Sequence, residues 1–220
     1  MSTAYTAGAT VPRPQRHALG MPAGSIRALL ALGILGLLWL VVLRPGHAVE
    51  GQVIPGKIPL VFFYLNMLMI LVLVHFFTAH GKTIGRGVSN RSPLGLPGGT
   101  VRFILIVGYL GLTYFLYKTG AEFEMPQSTE YALPTALLLT GYLLGHIISG
   151  ILTRLGGGVP PAWYQDVEAW IALLAVMGLG IIVVVRLLIN TTLPMEDRLD
   201  VQVMETSLAA IVGFYFGARS

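Results

Sequence analysis

Three sets of residues in this 220-residue chain have the type and spacing to do chemistry. His75 and His146 each sit in an apolar run, roughly two helical turns short of a basic boundary marked by Lys82 and Arg154. Two imidazoles at similar depth in a helical bundle could ligate haem b. The plainer expectation is a pair of hydrogen-bonded bundle histidines, because the two do not occupy equivalent positions of the repeat described below. Arg186 and Glu205 are the chargeable residues set deepest in apolar sequence. Each lies about one turn inside its run at the same end, and burying either charge alone is costly, so a pair is expected. The alternative is a Glu205 that titrates or binds a cation. Arg27, Arg102 and Glu168 occupy equivalent places at the starts of three apolar runs. They could form a ring that braces the bundle or lines a vestibule, or the two arginines could anchor to anionic lipid headgroups. Asn66 suits an interhelical hydrogen bond or a pore lining.

What must position these residues follows from composition. The chain is 55% hydrophobic and 11% charged, against about 25% charged in a soluble domain. It has too little polar surface for water and too little charge for disorder. Cysteine is absent, which removes disulfides, thiolate metal sites and cysteine nucleophiles. Six stretches approach the roughly 20 apolar residues that a membrane span needs: 26–43, 58–78, 101–117, 132–153, 169–189 and 203–218. The last is the shortest and carries Glu205. The runs are continuous rather than alternating, so helices are expected and a barrel is not. The expected fold is an all-α integral membrane protein of six transmembrane helices.

With the N-terminus inside, nine basic residues fall on the inner side and five on the outer. That bias places both termini in the cytoplasm and suits a bacterial inner membrane. The first run is too long for a signal-peptide core and reads as a retained helix. Residues 1–18 read as a flexible cytoplasmic tail.

The most specific pattern is internal. Leu19-Gly20-Met21-Pro22-Ala23-Gly24-Ser25-Ile26-Arg27 returns as Leu94-Gly95-Leu96-Pro97-Gly98-Gly99-Thr100-Val101-Arg102, at a constant offset of 75. The offset continues through Gly33 and Gly108, Gly36 and Gly111, and Pro59 and Pro134. Two copies of a helical hairpin are expected at 19–82 and 94–157, joined by a basic linker at 83–93, with a divergent third hairpin at 158–220. The copies are parallel, unlike the inverted repeats of many transporters. Gly-x-Pro-x-Gly cannot continue a helix, and Ser25, Thr100 and Asp166 are favoured N-caps. Gly141 with Gly145, and Gly213 with Gly217, form small-residue faces suited to close helix packing.

Metalloprotease, nucleophile-elbow and phosphate-loop patterns are all missing, and no basic-aromatic surface points to nucleic acid. The resulting expectation is a non-enzymatic polytopic subunit. It packs through small-residue faces with itself or another membrane protein in a larger complex. A small channel or transport subunit, with a pore between hairpins, is the alternative. A haem b electron-transfer subunit using His75 and His146 is the second.

Overall fold

The computed structural model describes residues 18–22, 24–43, 48–49, 52–53, 60–78, 93–97, 99–119, 128–156 and 161–219. The tail expected at 1–18 and the linker at 83–93 lie almost wholly outside them. The described chain is helical: α1 (Ser25–Leu43), α2 (Leu60–Thr78), α3 (Thr100–Thr119), α4 (Ser128–Leu155), α5 (Ala162–Val184) and α6 (Gln202–Ala218). Between α1 and α2, Ala48–Val49 pairs antiparallel with Gln52–Val53. After Val184, α5 widens into a π-helical turn, Val185–Ile189, and closes with Asn190–Thr192.

Four stretches are long and apolar enough to cross a membrane: Ser25–Leu43, Thr100–Thr119, Thr135–Leu155 and Ala162–Ile189. Among the described residues, Phe62–His75 of α2 and Val203–Ala218 of α6 are further, shorter apolar stretches.

The helices form a ring with two outriggers. α1 packs on α2 and α5, and α6 packs on α2 and α5, closing a four-helix ring. α3 rests on α1, and α4 rests on α6. The two helices of the stretch 94–157, α3 and α4, therefore settle on different corners of the ring. The physical reason is where the glycines face. A Cβ on Gly108 would lie 2.6 Å from Leu35 Cδ2, and one on Gly111 would lie 3.4 Å from Trp39, so this side of α3 fits only against α1. Gly141 and Gly145 of α4 face α6 instead.

Helix directions follow from the same contacts. Gly108 meets Leu35 and Gly111 meets Trp39, so α1 and α3 run parallel; Gly33 meets Val176 and Gly180 meets Leu37, so α1 and α5 also run parallel. Trp39, whose type suggests the membrane interface, instead wedges between α1 and α3. Its Nε1 donates to the Gly108 carbonyl at 3.1 Å and its ring lies 6.2 Å from Phe115.

The turns leading into α1 and α3 have one conformation. Leu19, Gly20 and Gly24 have φ of 55°, 67° and 81°; Leu94, Gly95 and Gly99 have 56°, 70° and 90°. A left-handed leucine costs about 1–2 kcal/mol, so something must hold it. The Leu19 amide donates to Asp166 Oδ1 at 2.7 Å, and the Leu94 amide donates to Ser25 Oγ at 2.9 Å. Ser25 and Asp166 are thus not caps of their own helices, as their types suggest. They reach sideways and fasten the neighbouring turn, so that α5 holds the turn of α1 and α1 holds the turn of α3. Removing either oxygen exposes the strain. Ser25→Ala is expected to cost about 1 kcal/mol, and Asp166→Ala about 1.5–3 kcal/mol because its acceptor is charged. Amide exchange read on peptides covering 93–97 and 18–22 should rise in the respective variants. Unchanged exchange in both would mean that these bonds do not fix the turns.

Candidate functional site

Two buried polar clusters sit at opposite ends of the ring. Between them the helices are filled by Leu30, Ile34, Leu38, Leu65, Leu68, Met69 and Leu179, none more than 1% exposed.

At one end, Arg186 Nη2 lies 3.0 Å from Glu205 Oε2. The π-helical turn carries Arg186, and the first turn of α6 carries Glu205, which is fully buried. The second oxygen of Glu205 and the Nε of Arg186 have no hydrogen-bond partner. The connection between the helices is clipped shut: Asn190 Nδ2 donates to the Leu199 carbonyl at 2.9 Å, and the Leu199 amide donates back to Asn190 Oδ1 at 3.1 Å.

At the other end, Glu168 near the start of α5 meets Arg219 at the end of α6, Oε2 to Nη2, at 3.4 Å. Arg219 also reaches Gln165 Oε1 at 3.4 Å and lies over the Tyr215 ring, 5.8 Å from its centroid. Arg27 Nη1 lies 3.0 Å from His75 Nε2. Guanidinium nitrogens can only donate, so Nε2 accepts and the imidazole is neutral. The same ring packs edge-on against Phe216, with centroids 5.5 Å apart. Arg102 lies within charge–charge reach of Arg27, as does Arg219.

This arrangement corrects the expected ring. Glu168 is engaged by Arg219, not by Arg27 or Arg102, and Arg27 turns to His75. The signal for Arg219 was available. A residue near the start of α5 and one at the end of α6 share a depth by the same reasoning that pairs Arg186 with Glu205. The α5–α6 hairpin is thus clasped at both ends, each helix with its glutamate near the start and its arginine near the end, the order the helix dipole favours.

The haem geometry is not formed. His75 is buried with Nε2 directed at Arg27, whereas His146 is exposed on α4. Among the described residues, no group of three or more His, Asp or Glu converges as a metal site requires. Asn66 Oδ1 accepts from the Tyr109 hydroxyl at 2.7 Å, tying α2 to α3. Gly141, Gly145, Gly213 and Gly217 all lie in one interface. Gly141 and Gly145 press on the backbone of α6 at Ala210 and Phe214; Gly213 and Gly217 press on α4 at Leu138 and Tyr142. The small-residue faces therefore serve packing within the chain rather than between chains. No protein-family description, curated protein or solved structure matches this sequence.

Proposed function

We propose that the chain is a non-enzymatic, six-span subunit of a bacterial inner-membrane complex, with both termini in the cytoplasm, whose three hairpins comprise a parallel repeat of two and a divergent third. Its role is assembly: it associates with itself or another membrane protein and carries out no reaction of its own. The observation supporting this best is the placement of α3 and α4. Each lies outside the ring on one principal neighbour, with Phe103, Leu110, Tyr114, Leu143, Ile147 and Ile151 more than half exposed. With Gly141, Gly145, Gly213 and Gly217 taken up internally, association uses these two outer helices. In this reading α2 and α6 cross the membrane as well.

A pore between hairpins fits less well. Asn66, His75 and Glu205 each engage a neighbour within the chain, and buried aliphatic side chains fill the layer between the two polar clusters.

Two measurements test the proposal. Mass measurement of the protein extracted in mild detergent should give a multiple of 23.7 kDa or a stable complex with a second membrane protein; a lone monomer under several mild detergents would remove the assembly role. Because the chain lacks cysteine, single cysteines report topology cleanly. Ser2→Cys and Ser220→Cys should react with an impermeant maleimide only after the inner face is opened, and Gln127→Cys should react from outside in intact cells. The reverse pattern would overturn the orientation.

A further inference from the structure

Three helices stand in one parallel row, α5 beside α1 and α1 beside α3. The two contacts in the row are built alike, with one helix giving and the next receiving. α5 gives Asp166 Oδ1 to the Leu19 amide, and ten residues further on its Val176 stands 3.0 Å from the place of a Cβ on Gly33. α1 gives Ser25 Oγ to the Leu94 amide, and ten residues further on its Leu35 lies against Gly108. Trp39, four residues later, covers Gly111 and donates to the Gly108 carbonyl. The receiving residues match as well: Leu19 and Gly33 become Leu94 and Gly108 at the offset of 75.

α3 carries the giving set once more. Thr100, Leu110 and Tyr114 stand 75 positions after Ser25, Leu35 and Trp39. A hydroxyl, a leucine and an aromatic ring with one polar hydrogen thus recur in the same register. Leu110 and Tyr114 are each 62% exposed. Thr100 is partly exposed, and among the described residues its hydroxyl fastens no turn. The face therefore continues an interface that the chain already uses twice, and it stands open.

What fits such a face is a receiving side: a helix parallel to α3, with glycines three apart, entered by a turn that offers a backbone amide. A second copy of the chain does not supply one. Its two helices of that kind are already seated, since the amides of both turns are taken by Asp166 and Ser25. α5, at the head of the row, carries Leu174 and Met177 at the eighth and eleventh positions after Asp166, where α1 and α3 carry glycines after Ser25 and Thr100. Both side chains are more than half exposed, so they keep a further helix from closing on α5 as α3 closes on α1. Phe103, 67% exposed, stands where α1 has the buried Ala28, so the incoming helix must also be small near its start.

We propose that Thr100, Leu110 and Tyr114 form the docking face for a transmembrane helix of a different protein, which extends the row α5–α1–α3 by one. The proposal rests on the assembly role proposed above and names its face and its partner.

A synthetic peptide of residues 18–43 is the probe, because it carries the turn and both glycines of a receiving helix. It is titrated into the full-length protein in mild detergent, with binding read by native mass spectrometry. One peptide should bind per chain. Thr100→Val should weaken binding about five-fold, the worth of one hydrogen bond. Leu110→Ala should weaken it by a similar factor through lost packing. A Gly33→Leu peptide should bind at least ten-fold more weakly, and Ile181→Ala in α5 should change nothing. No binding, equal binding of the two peptides, or wild-type binding by both Thr100→Val and Leu110→Ala proteins would overturn the proposal.

In native membranes, a benzophenone attached at Leu110→Cys should crosslink to a different protein, at a segment with small residues three apart. An adduct of two copies of this chain would overturn the choice of partner. A complex found by mass with no adduct at Leu110 would overturn this face and leave the assembly role standing, whereas a lone monomer would remove both.

Discussion

Arg186→Ala is expected to be among the most damaging single substitutions in the chain, costing about 3–5 kcal/mol of stability. Glu205 is fully buried, and its carboxylate has Arg186 as its ion-pair partner at 3.0 Å. Without that partner, the carboxylate must stay charged in an apolar setting, take up a proton, or open the hairpin to water. Taking up a proton at pH 7, starting from an ordinary glutamate value near 4.3, costs about 4 kcal/mol. That sets a ceiling close to the cost of breaking a buried pair. The loss should therefore shrink as the pH is lowered toward 5, where protonation is cheaper.

The reverse change is milder. Glu205→Gln leaves Arg186, whose side chain is 24% exposed, able to extend toward headgroups and water, so its cost should be well under half that of Arg186→Ala. Replacing both, as Arg186→Met with Glu205→Leu, should recover most of the lost stability, because well-packed apolar groups often equal a buried ion pair. Thermal unfolding of the wild type and the three variants in one detergent compares these costs directly. Wild-type stability in Arg186→Ala would mean that the pair carries no energy.

How far the sequence reveals this arrangement depends on what lipid can discriminate. The apolar runs and the Arg186–Glu205 pair are legible because hydrocarbon penalises charge strongly, so length and depth suffice to predict them. The turns before α1 and α3 are legible because Leu-Gly-x-Pro with Gly four residues on admits few conformations, and both adopt the same one. Helix partners are another matter. α1 and α3 share one sequence pattern, so nothing in the pattern says that α3 should leave α4 and lie on α1. Lipid chains are as apolar as leucine, and hydropathy cannot tell a face against lipid from one against another helix. The choice rests on steric detail, such as the seat that Gly108 makes for Leu35 and Trp39, which shows only when helices are set side by side. Ser25 and Asp166 illustrate the same limit: as residue types they suit caps, yet their oxygens serve a neighbour.

The glycines between α4 and α6 should divide sharply from glycines elsewhere. A Cβ on Gly145 would fall onto the Phe214 carbonyl and within 2.9 Å of the Ala218 nitrogen; one on Gly217 would fall onto the Tyr142 carbonyl and within 2.9 Å of its Cα. These are backbone atoms and cannot rotate aside, so the two helices must separate along their whole contact. α4 has α6 as its principal partner, and separation forfeits most of its dispersion energy. Gly145→Ala and Gly217→Ala are each expected to cost about 2–3 kcal/mol, at the upper end of overpacking losses. Gly213→Ala should cost less, since its obstacle, the Leu138 carbonyl, stands 2.9 Å away. The double variant Gly145→Ala/Gly217→Ala should cost clearly less than the sum, because the first methyl already creates the gap that the second needs. Gly36 and Gly150 are the controls. Nothing lies within 4 Å of a Cβ at either, and alanine there should be neutral or stabilise by up to about 1 kcal/mol through helix propensity. Unfolding midpoints, together with a disulfide introduced between α4 and α6 as a proximity reporter, would measure both the energy and the separation. Equal losses at Gly145 and Gly150 would show that the α4–α6 contact is not backbone on backbone, and strict additivity would show that the two glycines do not share one interface.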